Sequence, residues 1–100
     1  MSPALTTGYL AQAPELPPAG VVEAVRRELA RRSEVPQARL SLIAAMRERW
    51  SDGCLGLAKP EELCTQALVE GWRLILSHEQ QTWVYRTDAT GQQIRLEKSR

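Results

Sequence analysis

Cys54 and Cys64 bound a stretch with neither helical nor strand periodicity, and no other feature restricts the fold of this chain as much. From Trp50 the chain reads Ser51-Asp52-Gly53-Cys54-Leu55-Gly56-Leu57-Ala58-Lys59-Pro60-Glu61-Glu62-Leu63-Cys64-Thr65-Gln66. Asp52-Gly53 is a strong turn pair, and Pro60 breaks any regular element. The segment is therefore expected to be a loop pinned at both ends. An even cysteine count and a polar, turn-rich spacer favour a disulfide between Cys54 and Cys64. The chain-entropy relation makes such a bridge worth about 3 kcal/mol, a large part of a small domain's stability. Two reduced thiols are the alternative, and a cytosolic host would favour them.

The chain has 100 residues, a single-domain length, with 43% hydrophobic content, no Phe and three Trp. Burying one indole contributes on the order of 3 kcal/mol, so Trp50, Trp72 and Trp83 carry much of the core. A formal charge of +1 argues against a dedicated nucleic-acid or polyanion binder. No apolar run reaches membrane-spanning length, so no membrane insertion is expected. Tyr9-Leu10-Ala11-Gln12-Ala13 ends in the small-x-small pattern of a signal cleavage site, although Pro14 fits cleavage poorly. An exported or periplasmic location follows if the disulfide forms and the true start lies upstream; a disordered leader is the plainer expectation.

Residues 1–18, with Pro14, Pro17 and Pro18, are expected to be a disordered leader to a domain spanning 19–97. From Ala19 to Arg32 a stripe of Val21, Val22, Val25 and Leu29 predicts an amphipathic helix, with Glu23–Arg27 and Glu28–Arg32 as i,i+4 pairs. Pro36 stops it. Leu40 to Arg49 alternates as a strand. Thr65–Val69 and Gly71–Ser77 read as one long strand bent by a bulge at Gly71, with Trp72, Leu74 and Leu76 inward. Thr82–Thr87 and Gln92–Glu97 follow as strands joined by Asp88-Ala89-Thr90-Gly91, where Gly91 takes positive φ. Residues 98–100 read as a frayed tail. The fold class is α+β: one N-terminal helix packed on a three- to four-stranded antiparallel meander, its other face open to water as a docking surface.

Trp50, Asp52-Gly53-Cys54-Leu55-Gly56-Leu57, Pro60, Cys64-Thr65-Gln66-Ala67 and Gly71-Trp72 resemble a family of uncharacterised small bacterial proteins, common in cyanobacteria. Trp83-x-Tyr85-Arg86-Thr87-Asp88 is similar to that family's closing hairpin, and the resemblance spans roughly residues 20–97. Two positions depart: Ser51 stands where the pattern has Pro, and Glu61 where it has Gly, which implies a less rigid loop. The helix-then-meander order also resembles PepSY-type and cystatin-like domains, which implies a binding or inhibitory module. No catalytic motif accompanies the resemblance.

The chemistry is sparse. The cysteine spacing is not that of Cys-x-x-Cys redox centres. Cys54, Cys64 and His78 fall one ligand short of a zinc site unless Asp52 contributes, so no metal or cofactor is expected. A Cys54 nucleophile activated by His78 lacks an orienting third group. Arg26, Arg27, Arg31 and Arg32 interleave with Glu23 and Glu28, as on a solvated helix face. Trp50 is either a plug beneath the loop or an exposed anchor. The favoured reading is a non-enzymatic interaction module whose braced loop binds a protein or peptide through Trp50, Asp52, Leu55, Gly56, Leu57 and Lys59. Alternatives are a protease inhibitor using the same loop and a thiol enzyme or redox switch centred on Cys54. A monomer, or a weak homodimer pairing through a sheet edge, is expected.

Overall fold

The computed structural model describes residues 15–100. One helix, α1 (Ala19–Ser33), is followed by a single 3-10 turn (Gln37–Arg39) and four strands: β1 (Ser41–Trp50), β2 (Val69–His78), β3 (Gln81–Asp88) and β4 (Ile94–Ser99). The strands form one antiparallel sheet in the order β1-β2-β3-β4. The expected α+β meander is thus the architecture, with four strands. No described helix is long and apolar enough to cross a membrane.

The valine–leucine stripe determines how α1 sits. Val21, Val25 and Leu29 are fully buried against Trp72, Leu74, Leu76, Trp83 and Tyr85, the alternating residues of β2 and β3 that face the helix. Leu42 and Ala45 of β1 and Ile94 and Leu96 of β4 flank this core. Its one blemish is the Tyr85 hydroxyl, buried with the Arg32 guanidinium nearby but with no hydrogen bond of good geometry among the described residues. Burial pushes that phenol's pKa up. Asp88 Oδ1 accepts from the backbone N–H groups of Thr90, Gly91 and Gln92, which folds the β3–β4 connection. Gly91 has the expected positive φ of 81°, and a Cβ there would press on Val21 Cα at 3.3 Å.

Several expectations are corrected. The leader region 1–14 lies outside the described residues, but Glu15–Pro18 are ordered: Pro17 is buried, and Pro18 O accepts from Val21 N at the start of α1. Glu28 pairs with Arg31 rather than Arg32, at 2.7 Å. Thr65–Leu68 is not strand, because the ladder between β1 and β2 ends at Trp50↔Val69 and the chain diverges there into the loop. Gly71 is no bulge; the register slips instead at Ile43 in β1 and at Glu97 in β4. Residues 98–100 are no frayed tail, since β4 runs to Ser99 and Arg100 exchanges two 2.7 Å backbone hydrogen bonds with Thr82.

Candidate functional site

The loop between β1 and β2 is a succession of tight turns, each with a local cause. Asp52 Oδ1 accepts from Cys54 N (2.8 Å) and Gly56 N (3.1 Å), so a turn carboxylate organises the first bend. Leu57 N donates to Cys54 O across Leu55 (φ 58°) and Gly56 (φ 73°), two consecutive left-handed residues. Such a turn favours Gly, Asn or Asp at its central positions, and a leucine there costs about 1–2 kcal/mol. Leu55 is 0% exposed, and full burial of a leucine returns about 1.5–3 kcal/mol, so burial wins and holds the strained backbone. The next turn closes with Glu62 N on Lys59 O, with Pro60 and then Glu61 at its centre. Glu61 takes φ 66°, the conformation that glycine supplies without strain. The Glu61 departure therefore leaves the turn formed, with the strain carried by Glu61.

Cys54 and Cys64 are bonded, with Cα atoms 5.5 Å apart. A backbone hydrogen bond from Gly53 N to Thr65 O (2.8 Å) closes the neck of the loop beside the bridge.

This loop does not project into water. It folds back over the sheet face opposite α1, on a row of three cross-strand arginines: Arg73 opposite Arg86, and Arg86 opposite Arg95. Like charges directly opposite one another destabilise a sheet unless each is answered. Arg73 and Arg86 share Glu97, through Arg73 Nη2 at 2.5 Å and Arg86 Nε at 2.9 Å. Burial pushes the Glu97 carboxyl up in pKa, but the hydrogen bonds from Arg73 and Arg86 outweigh it and the net shift is downward. The remaining donors reach up to the loop. Arg86 Nη1 donates to Leu55 O (2.7 Å), and its guanidinium lies 4.6 Å from the Trp50 ring centroid. Arg95 donates to Leu57 O (3.2 Å) and grips both oxygens of Glu62 at 2.9 and 2.5 Å. That grip holds the Glu62 carboxyl at a pKa of about 2. Gln93 Nε2 adds a 2.8 Å bond to Gly53 O.

Trp50 completes the arrangement from below. It is 7% exposed and donates its indole N–H to Thr87 O at 2.8 Å. The ring needs a strand with no side chain beneath it. A Cβ on Gly71 would overlap the Thr87 carbonyl oxygen and come within 2.7 Å of Trp50 Nε1. Gly71 therefore serves close approach, not a bulge.

The residues singled out from sequence separate into two groups. Trp50, Asp52 and Leu55 are structural: a plug, a turn acceptor and a second plug. Leu57 is half-buried, while Gly56 and Lys59 are exposed. Leu55 is thus not displayed, and the sheet's second face is not fully open. The exposed large apolar side chains of the loop are Leu63, at 97%, and Leu68, at 66%. Sequence reasoning missed them, and it missed the arginine row. Arg73, Arg86 and Arg95 each alternate with core residues, a signal visible once the hairpin registers are fixed.

His78 ends β2, opposite in the strand to the loop, about 30 Å from Val69 at strand rise. Its Nδ1 lies 3.3 Å from Arg39 O. The described cysteines hold no free thiol. Asp52, Cys54 and Cys64 do bring three ligand-type atoms within 4.8 Å of one another. The sulfurs are spent on each other and the carboxylate on two backbone donors, so this donor set does not suit a metal.

A family model described as a domain of unknown function, DUF8738, matches residues 22–96. The chain belongs to the DUF8738 family. The matched span runs from within α1, through the loop, to the middle of β4, so the bridged loop lies within the family domain. This agrees with the expected membership of an uncharacterised family of small proteins. No curated protein and no solved structure matches the chain.

Proposed function

We propose that the chain is a non-enzymatic interaction module that presents the outer surface of its disulfide-braced loop to a protein or peptide partner. The observation that carries this reading is Leu63, 97% exposed beside bonded Cys64 on a loop tethered along its length. An exposed leucine on a mobile loop gains little on docking, because ordering the loop offsets the contact. A loop already fixed by a bridge, an ion pair and backbone tethers loses little entropy when it binds. Leu68, on the return segment, is a second exposed leucine of the same loop.

A photo-crosslinking amino acid placed at Leu63 in the native host, with a matched one at Gln80 in the far β2–β3 turn, tests the proposal. Capture of one protein from position 63 alone, followed by weakening of about tenfold or more in purified binding on Leu63→Asp, is the expected result. Equal capture from both positions, or unchanged binding by Leu63→Asp, contradicts it.

A further inference from the structure

The outer edge of β4 runs along the floor of a groove of about 810 Å³, walled on one side by Arg32 at the end of α1 and on the other by Gly56–Lys59 of the loop. Cavities of roughly 300–1,000 Å³ hold specific ligands. Two features of this groove define what fits.

The first is the backbone of the floor. Asp88 N donates to Gln93 O, so the Asp88–Gln93 positions are hydrogen-bonded, and alternation makes Arg86–Arg95 the next hydrogen-bonded pair. Ile94 and Leu96 occupy the intervening positions, opposite Thr87 and Tyr85. Their N–H and C=O groups therefore point away from β3, into the groove, with no strand to meet them. These donors and acceptors have the spacing that another extended chain satisfies.

The second is charge. The charged lining residues are Arg32, Lys59 and Arg95, all cations. Glu62 answers Arg95, whereas the side chains of Arg32 and Lys59 make no ion pair among the described residues. Arg32 and Lys59 stand on opposite walls, and successive side chains of a strand point to opposite sides. Two adjacent acidic residues on an added strand would reach one wall each. The other sheet edge lacks this character, because β1 carries the mixed charges of Arg47, Glu48 and Arg49.

We propose that β4 accepts an extended peptide segment bearing adjacent acidic residues, which adds to the sheet as a fifth strand between Arg32 and Lys59. The inference deepens the interaction-module reading, but it uses a surface separate from Leu63 and can fail independently of it.

The probe is a fluorescein-labelled, amide-capped peptide with two adjacent glutamates between valines, titrated into the full oxidised chain and read by anisotropy and amide NMR. The expected result is saturable binding, new protection of the Ile94 and Leu96 amides, and weakening of about tenfold or more on combined Arg32→Glu and Lys59→Glu. Both replaced side chains are exposed, and a melting curve unchanged from the parent is required of the variant before its binding is compared. N-methylation of alternate peptide amides abolishes binding, and Leu63→Asp leaves it intact. The proposal is overturned by no binding at about 1 mM peptide. It is also overturned if the N-methylated or glutamine-substituted peptide binds equally well, which would indicate adsorption without strand pairing. Loss of binding on Leu63→Asp but not on the charge reversals assigns the peptide to the loop tip instead. Protection of the same amides in a peptide-free dimer assigns the edge to a second copy.

Discussion

Replacing Leu55 with alanine separates a loop that is part of the core from a loop that is displayed. Leu55 is 0% exposed, and its backbone sits at φ 58°. Alanine suffers the same left-handed strain, so the substitution removes burial and leaves the strain in place. Truncating a fully buried leucine costs about 2–5 kcal/mol, the spread reflecting how far the neighbours collapse into the gap. In a domain of this size each kcal/mol lowers Tm by about 4–8 °C, so a fall of about 8–40 °C is expected. Leu63→Ala, at the exposed end of the same loop, should stay within about 0.5 kcal/mol of the parent. Urea unfolding followed by tryptophan fluorescence measures both, and acrylamide quenching of Trp50 should rise in Leu55→Ala alone. If both variants lose less than about 1 kcal/mol, Leu55 is not a plug and the packing of the loop on the sheet is wrong.

Other consequences follow from the same geometry. Gly71→Ala should cost about 3 kcal/mol or more, because neither the Thr87 backbone nor the hydrogen-bonded indole can retreat; a calorimetric loss below 1 kcal/mol would contradict this. Glu61→Gly should stabilise the oxidised protein by about 1 kcal/mol by relieving the positive φ of 66°, and a lower Tm would refute the turn assignment. Glu62 has its pKa lowered to about 2 by Arg95, so its contribution is complete above the ordinary value of 4.5 and is lost as pH falls toward 2. NMR titration of its carboxyl carbon should show a midpoint near 2 in the parent and a return toward 4.5 in Arg95→Ala; equal midpoints would remove the ion pair.

Much of the fold was legible because periodicity and chain breakers agree. The stripe of Val21, Val25 and Leu29, the stop before Pro36, and the alternation through Trp72–Leu76 and Trp83–Tyr85 each select one element and one face. The turn at Asp88–Gly91 was legible for the same reason. What failed depends on contacts distant in sequence. Gly71 has two physical meanings in a strand, and only the position of Trp50 decides between them. Leu55 and Leu63 are the same residue type in the same loop, yet one is buried and the other exposed. The difference lies in where the bridge and the arginine row fold the loop back. Arg73, Arg86 and Arg95 look solvated singly; register alone aligns them, Arg73 on Glu97 and Arg86 and Arg95 beneath loop carbonyls that need donors. The β4 edge groove likewise exists only after the helix end and the loop are placed on either side of it.

Backbone 15N relaxation across Gly53–Leu57 of the oxidised protein probes most directly whether this segment is fixed to the sheet. Order parameters of about 0.85, equal to those of β2 and β3, are the expected result. Values below about 0.6 in that segment would show a mobile excursion and contradict the account.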